Sequence, residues 1–140
     1  LITSGIWDER FRQIRDFERY LSENGLVILK FFLHISKEEQ KQRLLKRIDN
    51  PSKNWKFSEA DITERQYWEQ YQQCYQEAIA ATDTSHAPWY IIPSDKKWFA
   101  RLAISEVIVQ ALAPLGLEYP VLDPSHLSIL QECKQKLLGE

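Results

Sequence analysis

The stretch LVILKFFLHI, Leu26 to Ile35, decides the fold of this chain. It is almost continuous in apolar and aromatic residues rather than alternating, which is typical of a parallel strand covered by helices on both faces. After Ala87 and Pro88, the segment Trp89 to Ile92 predicts a second, shorter strand. Two parallel strands do not form a stable sheet by themselves, so we expect further strands to come from elsewhere. The sequence therefore predicts an α/β fold of which this chain carries a part.

Helical patterns surround both predicted strands. Apolar residues at helical spacing precede the first strand and stop at Asn24-Gly25, where glycine supplies a left-handed turn. Ser36 and Glu39 form a capping box, in which each side chain accepts from the backbone amide of the other residue, and they open a helix that runs to about Ile48. Further helices are predicted at about 58–81, 95–115 and 125–138. The first of these carries an aromatic stripe that we interpret as core, made of Trp68, Tyr71, Tyr75 and Ile79.

Length and composition indicate a single soluble globular domain. The 140 residues are 44% hydrophobic and 12% aromatic, and the longest apolar run is broken by Lys30 and His34, so we expect no transmembrane segment. Two distant cysteines and the lack of a signal-peptide pattern predict free thiols in a reducing cytoplasm. The composition contains no methionine, and the chain starts at Leu1. We therefore expect either a truncated chain or a start codon written as leucine.

A basic segment follows the first strand and its helix. Residues 43–56, RLLKRIDNPSKNWK, hold five basic side chains and one acidic one, whereas the net charge of the whole chain is -2. A polyanion site should therefore be local, and nucleic acid is not expected as a partner. Arg43 and Arg47 share one helix face and are followed by Lys53 and Lys56, an arrangement that can enclose a phosphate chain. The alternative is a solvated basic helix end, where cations complement the helix dipole.

The glycines argue against a complete phosphate site in this chain. Only four are present, Gly5, Gly25, Gly116 and Gly139, and they are far apart. No Gly-rich loop can therefore cradle the phosphate over which a basic clamp would close. By its residues alone, the chain looks like half of a phosphotransfer enzyme.

Three motifs carry a family resemblance. They are LKFFLHISKEEQ-x-x-R-x-x-x-R, DNPSKNWKFSEADITER and TSHAPWYIIPSDKKWFAR. Together they resemble the polyphosphate kinase 2 family over about Ile6 to Pro120. The resemblance implies a P-loop kinase-like three-layer α/β/α fold, here only its C-terminal half, with a helical lid at about 43–75. Residues 121–140 form a C-terminal tail, for which we expect a short helix.

The resemblance also implies an activity. Family members transfer a phosphoryl group between inorganic polyphosphate and a nucleoside mono- or diphosphate with Mg²⁺, and we expect a homo-oligomer. By position, Arg43 and Arg47 would grip phosphates, while Lys53, Lys56 and Arg65 would line the inner side of the lid. Each could instead stabilise the lid, Arg65 by pairing with Asp61. The family's P-loop lysine and aspartate and its second Asp-Arg motif have no counterpart, so we expect no catalytic residue and no activity in this chain alone.

Two other kinds of function stay open at this point. The chain could be a non-catalytic module that binds polyanions or nucleotides, or an interaction remnant whose exposed sheet edge pairs with another chain.

Single residues also leave alternatives. The histidines, His34, His86 and His126, are too scattered to suggest a metal site, and we interpret His34 as a hydrogen-bonded structural residue. Trp55 could stack on a nucleobase or anchor the lid. The basic residues at the start of the last long helix, Lys96, Lys97 and Arg101, could approach the nucleotide or simply be solvated.

Overall fold

The computed structural model describes residues 5–139, which form six α-helices and two strands. The elements are, in chain order, α1 Ile6–Glu23, β1 Lys30–His34, α2 Lys37–Ile48, α3 Ala60–Glu64, α4 Trp68–Thr82, β2 Trp89–Pro93, α5 Lys97–Leu112 and α6 Pro124–Leu138. Short 3-10 turns lie at Asn54–Lys56, Arg65–Tyr67 and Ala113–Leu115. The predicted order of helices and strands is confirmed, and the mixed architecture confirms the α/β class.

The two strands are parallel, and each residue of β1 lies opposite one of β2, from Lys30 beside Trp89 to His34 beside Pro93. The strand predicted from Leu26 to Ile35 is too long, because β1 begins only at Lys30. Pairing stops there since Pro88, before β2, has no amide hydrogen, and only its carbonyl accepts from the Lys30 amide. The predicted cover on both faces is also not found among residues 5–139, where Leu33 is 53% exposed.

Lys30 fixes the position of two helices on one face of the sheet. Its ammonium nitrogen donates to a carboxylate oxygen of Glu18 on α1 at 2.7 Å and to the Thr82 carbonyl at the end of α4 at 2.7 Å. Arg15 on α1 adds a 2.6 Å hydrogen bond to the Ala81 carbonyl. Two cations thus satisfy the last carbonyls of α4, which has no basic residue of its own in its last turn. This junction anchors α1, α4 and β1 to one another.

Helix α2 begins as the sequence predicts, but only half of the capping box forms. The Ser36 hydroxyl accepts from the Glu39 amide at 3.0 Å. The Glu39 carboxylate does not reach back, because it pairs with Arg43 one turn later at 2.8 Å. Asp95, at the end of the other strand, accepts from the Ser36 amide instead at 2.7 Å. The start of α2 is therefore tied to the loop after β2.

The single helix predicted over 58–81 is interrupted. It consists of α3, the 3-10 turn Arg65–Tyr67 and α4, and the turn falls on Arg65, the residue that bonds back to the start of α2. The left-handed helix end expected at Gly25 is confirmed, since this residue has a positive φ of 87°. Gly116, after the last 3-10 turn, also has a positive φ, of 55°. The tail helix is confirmed as α6, and none of its described residues is buried.

The hydrophobic core within residues 5–139 is small. Its buried apolar members are Ala87, Ile92 and Ala100, while many large apolar side chains stay exposed. The segment Lys97–Leu115, which is α5 with its 3-10 turn, is long and apolar enough to cross a membrane by length and composition, with a mean hydropathy of 1.3. Helix α5 packs against β2, but only 6% of this segment is buried within residues 5–139. The expectation that no membrane is involved stays a prediction.

Candidate functional site: an arginine-lined cavity

A cavity of about 560 Å³ opens between α2, α3 and α4 beside the C-terminal end of β1. Three of the five candidate phosphate-binding residues line it, namely Arg43, Arg47 and Arg65. The remaining wall combines carboxylates and aromatic rings, chiefly Asp61, Glu64, Trp68, Tyr71 and Tyr75. The cavity therefore brings three guanidinium groups to one place at the carboxyl end of the sheet, where ligands of open α/β folds bind.

Arg43 has the most contacts of the three arginines. Its Nε donates to Glu39 at 2.8 Å, and its Nη2 donates to the Ser94 carbonyl at 2.6 Å. These bonds connect α2 to the loop after β2, and the Arg43 side chain is only 29% exposed. Arg43 thus both faces the cavity and holds two elements together, so its removal should affect folding as well as binding.

Arg47 is held only loosely. One turn beyond Arg43, its Nη1 donates to the Lys56 carbonyl at 3.4 Å and lies 3.8 Å from the Asp61 carboxylate. The side chains of Arg47 and Asp61 are 38% and 39% exposed. Such a long, exposed ion pair contributes little to stability. An incoming phosphate could therefore replace Asp61 as the partner of Arg47 at small cost.

Arg65 ties the turn between α3 and α4 to the start of α2. Its Nη1 donates to the Lys37 carbonyl at 2.8 Å and to the Gln40 side chain at 2.7 Å. Asp61, the partner that the alternative interpretation gave to Arg65, lies beside Arg47 instead. A guanidinium group suits this double contact, since its donors are fixed in a plane. Arg65 therefore has a structural contact in addition to its place at the cavity wall.

Lys53 and Lys56 do not line the cavity. Lys56 lies over the ring of Trp55, 4.8 Å from the ring centroid, and Trp55 itself is 74% exposed. The indole nitrogen of Trp55 donates to the Ser52 carbonyl, three residues earlier in the same loop, at 3.1 Å. This local contact does not anchor the loop to the body of the protein, and Trp55 stays open to solvent.

The aromatic stripe of α4 is not the closed core that its spacing suggested. Tyr71 and Tyr75 are 43% and 45% exposed and form part of the cavity wall. Tyr75 packs on Phe32 of β1 with ring centroids 5.0 Å apart. The Tyr71 hydroxyl donates to Glu64, and this bond raises the pKa of Tyr71 above its ordinary value. Residue spacing alone could not separate these cavity residues from core residues, because a helix face that lines a cavity and one that lines a core have the same spacing of apolar residues.

The carboxyl ends of the strands carry further polar groups. The Ser36 amide that bonds Asp95 holds the pKa of this carboxyl below its ordinary value. Asp95 also lies close to Arg43, whose Nη2 is 3.5 Å from the Asp95 backbone carbonyl. His34 was expected to be a hydrogen-bonded structural residue, but its ring is exposed and lies 5.8 Å from that of Phe32. Only its backbone carbonyl accepts a hydrogen bond, from the Ser94 amide at 2.7 Å.

Residues 5–139 contain no ready-made cluster of metal ligands. Mg²⁺ requires oxygen ligands in an octahedral arrangement, usually carboxylates and water. Over residues 5–139, no group of three or more His, Cys, Asp or Glu side chains could hold a metal ion. In the cavity, Asp61 and Glu64 are engaged with Arg47 and Tyr71. We therefore derive no step of the chemistry through a metal bound by these residues.

Comparison with known proteins identifies the class of this chain. The sequence model of the Polyphosphate kinase 2 (PPK2) family matches residues 1–116. The chain belongs to the polyphosphate kinase 2 family. The match contains the whole arginine-lined cavity and stops before α6, in agreement with the resemblance expected over about residues 6–120.

Individual PPK2 relatives add length and structure to this assignment. The chain is 48% identical over 120 residues to the AMP/ADP-polyphosphate phosphotransferase of Meiothermus ruber, which covers 86% of this chain and 45% of that protein. The crystal structure of Polyphosphate Kinase 2 from Arthrobacter aurescens TC1 is 40% identical, with a TM-score of 0.86, over 94% of this chain and 47% of that chain. This structural match confirms the predicted P-loop kinase-like fold class.

A third relative has a different extent. It is the "Uncharacterized protein in chlN 3'region" of Leptolyngbya boryana, which is 54% identical over 135 residues, 96% of this chain and 99% of that protein. The chain thus spans about half the length of the Meiothermus and Arthrobacter proteins and almost the full length of the Leptolyngbya protein.

Proposed function

We propose that this chain supplies the arginine-lined half of a phosphoryl-transfer site that acts between inorganic polyphosphate and an adenine nucleotide. The single observation that carries the proposal is the convergence of Arg43, Arg47 and Arg65 on one cavity at the carboxyl end of β1. The name of the Meiothermus ruber relative supports polyphosphate and AMP or ADP as the substrates. The chain's own contribution is to bind and orient phosphate groups.

The chemistry explains why such a cavity is useful. In the proposed reaction, the bond between the terminal phosphorus of polyphosphate and its bridging oxygen breaks, and a terminal oxygen of the nucleotide bonds to that phosphorus. Negative charges must approach one another in this step, so neighbouring cations lower its barrier. Arg47 can move from Asp61 to a phosphate oxygen, while Arg43 keeps the cavity wall in place through Ser94.

Binding of polyphosphate to the purified chain tests the proposal, with titration calorimetry as the measurement. Arg47→Ala removes one guanidinium contact and should weaken binding about tenfold, which corresponds to about 1.4 kcal/mol. Arg12→Ala on α1 is the matched control, since it removes the same charge from an exposed arginine that lies on Asp16 at 3.0 Å, outside the cavity wall. Equal weakening by both variants would show that only net charge matters and would contradict the proposal.

We further propose that the chain does not catalyse the transfer by itself, because its four scattered glycines cannot form a phosphate-cradling loop. The Leptolyngbya boryana relative, which shares almost the whole extent of this chain, favours a second candidate, a non-catalytic module that binds polyphosphate or nucleotide. Formation of ATP from ADP and polyphosphate separates the two candidates. If the site binds polyphosphate through its arginines but no ATP forms, either with the chain alone or with the chain joined to the missing half, only the binding module remains.

The proposal also covers the metal ion, the location in the cell and the two loop lysines. We propose that Mg²⁺ takes part and is bound by residues outside the stretch described here, since the described carboxylates do not form a site for it. A cytoplasmic location agrees with Cys74 and Cys133, which are both exposed and unpaired. Lys53 and Lys56, on the exposed loop, would meet the distal part of a long polyphosphate chain rather than the transferred group.

A further inference from the structure

The two edges of the sheet differ in their free hydrogen-bonding groups. The Lys30 amide donates to the Pro88 carbonyl, and the His34 carbonyl accepts from the Ser94 amide, so these groups of β1 point towards β2. Because successive residues of a strand point to opposite edges, the amide and carbonyl groups of Phe31 and Leu33 point to the outer edge. Within residues 5–139, no backbone partner accepts from or donates to these outward groups. The outer edge of β1 is therefore open to a further strand.

The outer edge of β2 is partly blocked by its own residues. By the same alternation, Trp89, Ile91 and Pro93 face outward. The Trp89 amide donates to the Asp83 carboxylate at 2.9 Å, and Pro93 has no amide hydrogen to donate. Proline and a local cap are features of edge strands, which they protect from unwanted pairing. Of the outward residues of β2, only Ile91 keeps an open amide. The edge of β2 is therefore less suited to a further strand than the edge of β1.

The positions of the helices point to the same edge. Since Lys30 bonds both Glu18 and Thr82, α1 and α4 lie on one face of the sheet. The crossover through α4 places β2 on one side of β1. A right-handed crossover through α1 from a preceding parallel strand must then place that strand on the other side of β1. The handedness of the connections and the free hydrogen-bonding groups therefore both indicate the outer edge of β1 as the position of a further strand.

The exposed surface is large enough for a permanent interface. The chain exposes 11,549 Å², whereas a compact protein of its mass exposes about 7,600 Å². The excess is about 4,000 Å². Part of it belongs to α6, but a stable complex needs only about 800 Å² per partner. Leu33, on the open strand, is 53% exposed. Surface of this size and character resembles a domain core cut in two rather than a transient contact.

We propose that the outer edge of β1 docks a parallel strand from the half of a PPK2 domain that this chain does not match, so that both form one continuous sheet. The length of the relatives identifies this occupant, since the chain corresponds to 45% of the Meiothermus ruber protein and 47% of the Arthrobacter chain. A second copy of this chain, related by a twofold axis, would add an antiparallel strand to β1, whereas the right-handed crossover through α1 calls for a parallel one. The inference names the partner of the proposed function and rests on it.

Co-expression tests the proposal. The 140-residue chain is produced together with the part of the Meiothermus ruber phosphotransferase that it does not match, and the mass of the purified product is measured by light scattering. We expect a one-to-one complex. A soluble partner half that leaves the chain as a monomer would overturn the proposal, and so would a chain that forms homodimers or binds phosphatidylglycerol vesicles through α5 in place of the partner. The assay contains neither polyphosphate nor nucleotide, so its failure is distinct from failure of the proposed function.

Two proline variants locate the docking edge. Leu33→Pro removes an outward amide hydrogen of β1, whereas Ile91→Pro removes an outward amide hydrogen of β2 and is the matched control. We expect Leu33→Pro to lower the yield of complex at least tenfold and Ile91→Pro to leave it unchanged. Loss of the complex in Ile91→Pro alone would place the interface at the wrong edge and overturn the proposal.

Hydrogen exchange covers the case in which a proline variant does not fold. In the unaltered chain, the Phe31 and Leu33 amides should exchange rapidly when the chain is alone and at least a hundredfold more slowly in the complex. The Ile91 amide should change little. Equal exchange of Phe31 and Leu33 in the two states would show that no strand pairs with β1.

Discussion

The junction at Lys30 allows the sharpest prediction about stability. Lys30 and Glu18 are each only 12% exposed, and the ammonium also satisfies the Thr82 carbonyl. Lys30→Met keeps the length of the side chain but leaves the Glu18 carboxylate and the Thr82 carbonyl without this donor. Removal of one member of a buried ion pair costs about 3 kcal/mol, since the remaining charge stays desolvated. We expect Lys30→Met to lower the free energy of unfolding by this amount.

Urea unfolding followed by circular dichroism at 222 nm measures the effect. With a denaturant slope of about 2 kcal/mol/M, the midpoint should fall by about 1.5 M. Lys30→Met combined with Glu18→Leu removes both charges and should return to within about 1 kcal/mol of the unaltered chain. Arg12→Ala breaks an exposed pair, with side chains 57% and 47% exposed, and should cost less than about 0.5 kcal/mol. A double variant as unstable as the sum of the single variants would refute the reasoning.

Two further predictions concern the turn at Arg65 and helix α6. Arg65→Lys keeps the charge but loses the planar double contact to Lys37 and Gln40. We expect trypsin to cut the Lys53–Lys56 loop about tenfold faster in this variant. Arg19→Lys, at an exposed position, is the control and should not change the rate of cleavage. The Ser125 side chain and the His126 contacts lower the pKa of Asp123 from 3.8 to about 2. Because this pKa is lowered in the folded state, the cap stabilises α6 fully above pH 3.8 and is lost as the pH falls through about 2. The helicity difference between the unaltered chain and Asp123→Ala should shrink over that range, and a constant difference would contradict the cap.

Local sequence signals predicted the elements well. The left-handed stop at Gly25 and the Ser36 cap follow from short-range chemistry, and the structure has them. The break at Arg65–Tyr67 within the helix expected over 58–81 was not predicted. The errors lie where distant residues decide. The Ser36 amide bonds Asp95, which is 59 residues away, so Glu39 is left to pair with Arg43. No local pattern can show that a remote carboxylate takes over a capping contact.

The candidate site was predictable in its charges but not in its pairings. The spacing of Arg43 and Arg47 placed both on one face of α2, and both line the cavity. The third cavity arginine, Arg65, came from family resemblance, and its partners on α2 depend on how α3 folds back. The length of β1 was overestimated because apolar content indicates what a strand could bury, whereas pairing depends on the partner strand beside it.

Formation of ATP from ADP, polyphosphate and magnesium is the decisive measurement for the proposed function. The assay compares the chain alone, the complementary Meiothermus ruber half alone and the co-expressed complex, with light output from luciferase as the readout. We expect ATP only from the complex, and at least tenfold less when the chain carries Arg47→Ala. Formation of ATP by the chain alone, or none by a verified one-to-one complex, would contradict the assignment of this chain as the arginine-lined half of the enzyme.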